Sequence, residues 1–116
     1  MANITPTNVA TGNTKAFVSS WVNMLNGDVG LPISFAQYVD KSVQVFGTFG
    51  VGGNLRFEGS NDNGVNWGVL TDPQGNALDF TLAKIELVSE ATWLVRPRVT
   101  AGDGTTSLSV YALFKE

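Results

Sequence analysis

Between Arg56 and Phe80 the chain runs RFEGSNDNGVNWGVLTDPQGNALDF, with two reversal signals set close together among short alternating apolar runs. A globular helix needs roughly ten or more residues free of such breaks, so no helix of ordinary length fits here. Asn63-Gly64 suits a tight hairpin turn, because glycine has no Cβ to oppose positive φ and asparagine tolerates the left-handed region. Asp72-Pro73-Gln74-Gly75 is a second turn, with proline where its fixed φ is already the one required. The same punctuation recurs at NGDVG (26–30), GVGGN (50–54) and AGDGT (101–105) and cuts most of the chain into short segments.

Most of those segments alternate with a period of two. SVQVFGTF (42–49) places Val43, Val45, Gly47 and Phe49 on one face and Gln44, Phe46 and Thr48 on the other. NLRFEGS (54–60) turns Leu55, Phe57 and Gly59 inward and Arg56 and Glu58 outward. TWLVRPRVT (92–100) sets Trp93, Val95, Pro97 and Val99 against Leu94, Arg96 and Arg98. TSLSVYALF (106–114) sets Leu108, Val110, Ala112 and Phe114 against Ser109, Tyr111 and Leu113. AFVSSWVNML (16–25) fits helical spacing as well, but its β-branched and aromatic content favours a strand with Phe17, Trp21 and Leu25 opposite Val18, Val22 and Met24. LPISFAQYV (31–39) opens with a proline suited to an edge or a strand start, and AKIELVSEA (83–91) fits a short strand or one helical turn. VNWGVL is expected to bring Trp67 onto the inner face of the strand before it. LDFTL then sets Leu78, Phe80 and Leu82 on one side, so the double reversal predicts three adjacent antiparallel strands.

About eight short strands with turns throughout predict an all-β fold, a two-sheet antiparallel sandwich of jelly-roll or immunoglobulin-like type. With 116 residues the chain is long enough for one domain. Residues 1–15, rich in Thr and Asn with only Ile4 and Val9 as sizeable apolar side chains, are expected to form an extended N-terminal arm. Residues 16–116 are expected to form the single β-sandwich domain.

The chain has no cysteine and no histidine. These absences remove thiolate nucleophiles, zinc sites of Cys or His type, and the usual general base near neutrality. No enzymatic activity and no cofactor or metal are expected. A net charge of −3 and a pI near 4.7 argue against a nucleic-acid partner, and no apolar run approaches the length of a membrane-spanning helix. The N-terminal MANITPTNVATGNTK has neither the basic nor the apolar region of a secretory signal.

SNDNG (60–64) with Asp72 or Asp103 has oxygen ligands for calcium, yet only Asp62 is charged within the loop, and plain turn chemistry is the better reading. Glu58 with Asp62, or Glu86 with Glu90, has the composition of a glycosidase pair, but solvated strand carboxylates account for these residues more simply. GTFGVGG (47–53) lacks the Lys-Ser/Thr of a phosphate loop and reads as a hairpin. Tyr38, Trp93 and Tyr111 are candidates for a sugar-binding platform, set against the commoner core packing. Arg96-Pro97-Arg98 points either to an edge or interface strand, or to intramolecular salt bridges with Glu58 or Glu86.

Taken together, NGDVGLP, DKSVQVFGTFGVGGNLRFEGSNDNGVNW, LTDPQGNALDF and RPRVTAGDGTTSLSVYALF resemble a family of small tailed-bacteriophage virion proteins encoded beside the major capsid protein. The resemblance covers roughly residues 26–114 and brings no catalytic residues with it. It implies a β-sandwich that decorates or cements the head from the capsid exterior, made in the bacterial host cytoplasm. The implied partners are the major capsid protein and further copies of the chain, as a dimer or trimer. Ile4, Val9, Arg96, Arg98 and Tyr111 are the expected capsid or self contacts. EGSNDNGVNW is also similar to discoidin-type binding domains, which leave the N-terminal part and RPRVTAGDGT unexplained. The alternative functions are a carbohydrate-binding module displayed on the virion and a tail or baseplate component.

Overall fold

The computed structural model describes residues 2–34, 37–38 and 40–116; within LPISFAQYV, the expected strand residues Phe35, Ala36 and Val39 lie outside the described residues. The described residues form eleven strands and no helix: β1 (Asn3–Ile4), β2 (Thr7–Val9), β3 (Ala16–Leu25), β4 (Val29–Gly30), β5 (Asp40–Thr48), β6 (Asn54–Ser60), β7 (Gly68–Val69), β8 (Asp79–Phe80), β9 (Lys84–Val88), β10 (Leu94–Ala101) and β11 (Ser107–Lys115). One sheet has the order β2-β3-β11-β5-β9; the other runs β1-β4-β10-β6-β7, with β8 pairing β6 beside β7. From β3 onward the chain changes sheet at nearly every step, and the last two long strands are inserted between earlier neighbours, β10 between β4 and β6 and β11 between β3 and β5. This interleaving is a jelly roll and not an immunoglobulin-like sandwich.

The period-two pattern produces the core. Val43 and Val45 of β5, Leu55 and Phe57 of β6, Val95 and Val99 of β10, and Leu108, Val110 and Phe114 of β11 are all buried between the sheets. Trp21 of β3 is fully buried, and its indole nitrogen donates to the Leu31 carbonyl at 3.0 Å, so one side chain ties the five-stranded sheet to the chain leaving β4. Gly30 makes room for it: a Cβ there would lie 2.6 Å from Pro97 Cδ and 2.8 Å from Trp21 Cδ1.

Several details depart from the expected pattern. In β3 the pairing with β11 shifts between Val110↔Trp21 and Leu108↔Met24, and Asn23 takes φ 56°. This bulge inserts one residue, so Met24 turns into the core and Leu25 is left 53% exposed, the reverse of simple alternation. β7 and β8 do not extend the sheet as successive strands; both pair with β6, at Glu58↔Val69 and Arg56↔Asp79. Leu78 and Phe80 are buried, but Leu82 is exposed. Trp93 lies outside β10 and is exposed instead of joining Val95 and Val99.

The first fifteen residues include two strands that run along this chain's own sheets. β1 pairs in parallel with β4, and β2 pairs antiparallel with β3. The buried Asp28 carboxylate accepts from the backbone amides of Ala2 and Leu25 at 2.9 and 2.8 Å, which pins the start of the chain to the NGDVG turn.

Candidate interaction surfaces

The two sheets turn outer faces of opposite character to solvent. In the five-stranded sheet, register lines up Val9, Val18, Leu113, Ser42 and Leu87 in one row across β2, β3, β11, β5 and β9. The next row is Thr7, Ser20, Tyr111, Gln44 and Ile85. Beyond it Ser109 pairs with Phe46, whose ring lies 5.5 Å from that of Tyr111. Ile85 and Leu87 are 62% and 50% exposed, and Val9, Val22, Leu25 and Phe46 are exposed as well. A single exposed apolar residue is unremarkable, but several gathered on one sheet face make that face a candidate interaction surface. Only at one end of this face do charges enter, where Asp40 and Lys115 pair in register. Val9 and Tyr111, two of the expected contact residues, belong to this patch.

The relief of the face is equally definite. Ser42 and Gln44 of β5 form the floor of a valley between the ridge of Ile85 and Leu87 on β9 and the ridge of Tyr111 and Leu113 on β11. Two hollows lie along it, one of about 250 Å³ between Ser42, Leu87 and Leu113 and the charged Asp40, Lys41 and Lys115, and one of about 170 Å³ at the Gln44–Ile85–Tyr111 end.

The outer face of the other sheet is charged and internally paired. Glu58, whose side chain is 4% exposed, accepts from Arg96 Nε at 3.0 Å and from Arg98 Nε and Nη2 at 3.2 and 3.1 Å. Arg56 and Asp79 form a second pair at 2.9 Å, and Asn54 donates to the same carboxylate at 3.0 Å. Trp67 lies on this outer face and not on the inner one: the Arg96 guanidinium stacks 4.0 Å from its ring centre, and its indole nitrogen donates to the Gly64 carbonyl. Asn63 and Gly64 have φ of 61° and 84°, the left-handed pair that the sequence predicted, and this loop delivers the tryptophan.

Arg96 and Arg98 are therefore bound within the molecule, in the salt bridges to Glu58. Their strand is not an edge, since β10 lies between β4 and β6. Pro97 is tolerated because the β4 side of β10 is paired only at intervals: the amides of Val95 and Val99 donate to Ile33 and Asp28, and the proline faces the stretch between. Ile4 faces inward and packs against the core.

The other candidate sites come apart. Asp62, Asp72 and Asp103 each serve their own turn, and no group of three or more Asp, Glu, His or Cys among the described residues is placed to hold a metal ion. Glu58 is engaged by arginines; Glu86 pairs with Lys84, and Glu90 accepts from the Thr71 amide and hydroxyl. Tyr38 packs edge-on against Phe17, Tyr111 stacks on Phe46 and Trp93 lies next to β10 of the other sheet, so the three do not form one platform.

Two turn carboxylates carry a pH signature. Asp103 is held down to about 2 by the Thr105 hydroxyl and the amides of Val51 and Thr105, and Asp62 to about 2 by the Asn66 amide and the Ser60 hydroxyl. Groups whose folded pKa is depressed below the unfolded 3.8 add stability that is complete above that value and lost as pH falls through about 2. The thermal midpoint is expected to be level above pH ~4.5 and to drop between ~4 and ~2, with a shallower drop for Asp103→Asn, as read by circular dichroism melts.

No family model matches the chain, and no curated protein matches it. Among solved structures the chain is similar to the crystal structure of the SPBc2 prophage-derived protein YomS, with a TM-score of 0.66 and 13% identity over 90% of this chain and 97% of that one. At that identity the likeness establishes a shared fold, and nearly the whole of both chains takes part in it.

Proposed function

We propose that this chain is a non-enzymatic structural protein of a phage particle that binds the outer capsid surface and stabilises the head. The observation that carries the reading is the outer face of the five-stranded sheet, where exposed Val9, Phe46, Ile85 and Leu87 gather on one surface and charge is confined to the Asp40–Lys115 end, an adhesive surface and not a reaction centre. Three further points support it. The fold is shared with a prophage-derived protein, the sequence segments resemble small virion proteins, and the acidic side chains considered for chemistry are tied up in turns and salt bridges. Jelly rolls serve capsids, lectins and enzymes alike, so the fold by itself does not choose among them. Contacts repeated on a fixed lattice act with high effective concentration, so a small clamp present in many copies needs only modest affinity for each subunit.

Quantitative peptide mass spectrometry of gradient-purified parent particles tests this reading. The expected result is a copy number that scales with the major capsid protein and is unchanged in tailless heads. Absence from intact particles, or retention only in tail fractions, overturns it. Selective capture of one glycan by the purified protein would favour the carbohydrate-binding alternative.

A further inference from the structure

The outer face of the five-stranded sheet has the size, charge and relief of a surface that meets its own copy. We propose that two copies of this chain pack these faces together about a twofold axis, the β9 ridge of each entering the β5 valley of the other. The inference rests on the adhesion reading above and gives that surface to a second copy, so that the pair meets the capsid through its remaining surface.

Size comes first. Three strands of nine or ten residues flanked by strands of three and five, about 4.8 Å apart and about 3.4 Å per residue, give a face of roughly 600 Å² before corrugation, the lower end of the range that each partner of a specific interface buries. Charge is the second argument. Each copy carries a net −3, yet charge on this face is confined to one end, where Asp40, Lys41 and Lys115 border the larger hollow, so face-to-face packing brings no like charges together at the centre around Gln44, Ile85 and Tyr111. Homodimer interfaces are the more apolar class and are depleted of charge at their centres, as this face is. The charged outer face of the other sheet satisfies its arginines internally and has no such need.

Relief decides between a second copy and an unrelated partner. In a twofold interface each patch must be complementary to itself. Here the protruding Ile85 and Leu87 stand beside the hollows floored by Ser42 and Gln44, so the same few residues supply both the ridge and the recess. Sheets stack about 10 Å apart at a small angle, which lets side chains from each face fill the gaps of the other.

Sedimentation equilibrium of the purified chain at about 10 µM, within the affinity range of such interfaces, reads the result. The parent is expected at twice the 12.3 kDa of one chain. Ile85→Lys with Leu87→Lys, which removes the ridge, and Ser42→Trp, which fills the recess, are each expected to give monomers with the parental circular dichroism spectrum. Trp93→Lys replaces an exposed apolar residue by lysine away from the face and is expected to stay dimeric. A monomeric parent overturns the inference, as do ridge and recess variants that both stay dimeric. If that monomeric parent still decorates particles, only the twofold pairing falls and the head reading stands. Dimers that never appear on particles support the pairing and remove the head reading.

Discussion

Trp21→Ala is expected to lower the unfolding free energy by about 3–5 kcal/mol, a large share of the ~5–15 kcal/mol typical of a domain. Trp21 is completely buried and its indole nitrogen donates across the sandwich to the Leu31 carbonyl. Alanine therefore removes packing from both sheets and leaves that carbonyl without its donor, and Gly30 on the far side has no side chain with which to collapse into the space. Urea denaturation followed by circular dichroism gives the loss. Trp21→Phe separates the two contributions, since it keeps most of the volume and removes only the hydrogen bond, for about 1–2 kcal/mol. A Trp21→Ala protein within about 1 kcal/mol of the parent would contradict the bridging role assigned to Trp21.

Glu58→Ala is expected to cost about 2–4 kcal/mol. Removing one partner of a buried ion pair costs about 3–5 kcal/mol, and the lower figure here reflects Arg96 and Arg98, which at 21% and 36% exposed recover some hydration. The register makes the loss worse than that of one bond, because Arg98 stands directly opposite Arg56, and Glu58 is the carboxylate that answers Arg98 while Asp79 answers Arg56. Glu58→Gln keeps the shape and removes the charge, and is expected to fall between alanine and the parent. Breaking the exposed pair by Lys84→Ala is expected to change stability by no more than about 0.5 kcal/mol. Equal effects at Glu58 and Lys84 would mean that burial is not what gives the Glu58 cluster its weight.

Much of the fold was legible because alternation survives in the long strands. The inward sets of β5, β6, β10 and β11 were assigned from period two, and the turn at Asn63-Gly64 from the tolerance of those residues for positive φ. The errors came from features with no local signature. A bulge at Asn23 exchanges the roles of Met24 and Leu25, and nothing in AFVSSWVNML announces it. Pro97 argued for an edge strand because a proline cannot donate to a ladder, but an interior strand paired at intervals has room for one. Trp67 was assigned inward on hydrophobicity, whereas the Arg96 guanidinium offered its ring a stacking partner on the outside.

The candidate surface was the least legible part. Phe46, Ile85, Leu87, Tyr111 and Leu113 lie on β5, β9 and β11, and each taken alone is an ordinary outward residue of an alternating strand. Only the sheet order and the register gather them into one patch, and both depend on pairings between residues far apart in the chain. Val9 and Tyr111, which the sequence marks as contact residues, lie in the patch. Of the two readings that Arg96 and Arg98 allow, an interface strand or salt bridges to Glu58 or Glu86, the structure shows the bridges to Glu58.

The central claim is that this sandwich works by adhesion, with the outer face of β2, β3, β11, β5 and β9 covered by protein. A cryo-EM map of the parent particle at side-chain resolution measures this directly. The account predicts copies of the sandwich on the outside of the head with Ile85, Leu87 and Tyr111 buried against another chain. Heads without the sandwich, or copies whose Ile85–Tyr111 face opens to solvent, would contradict it.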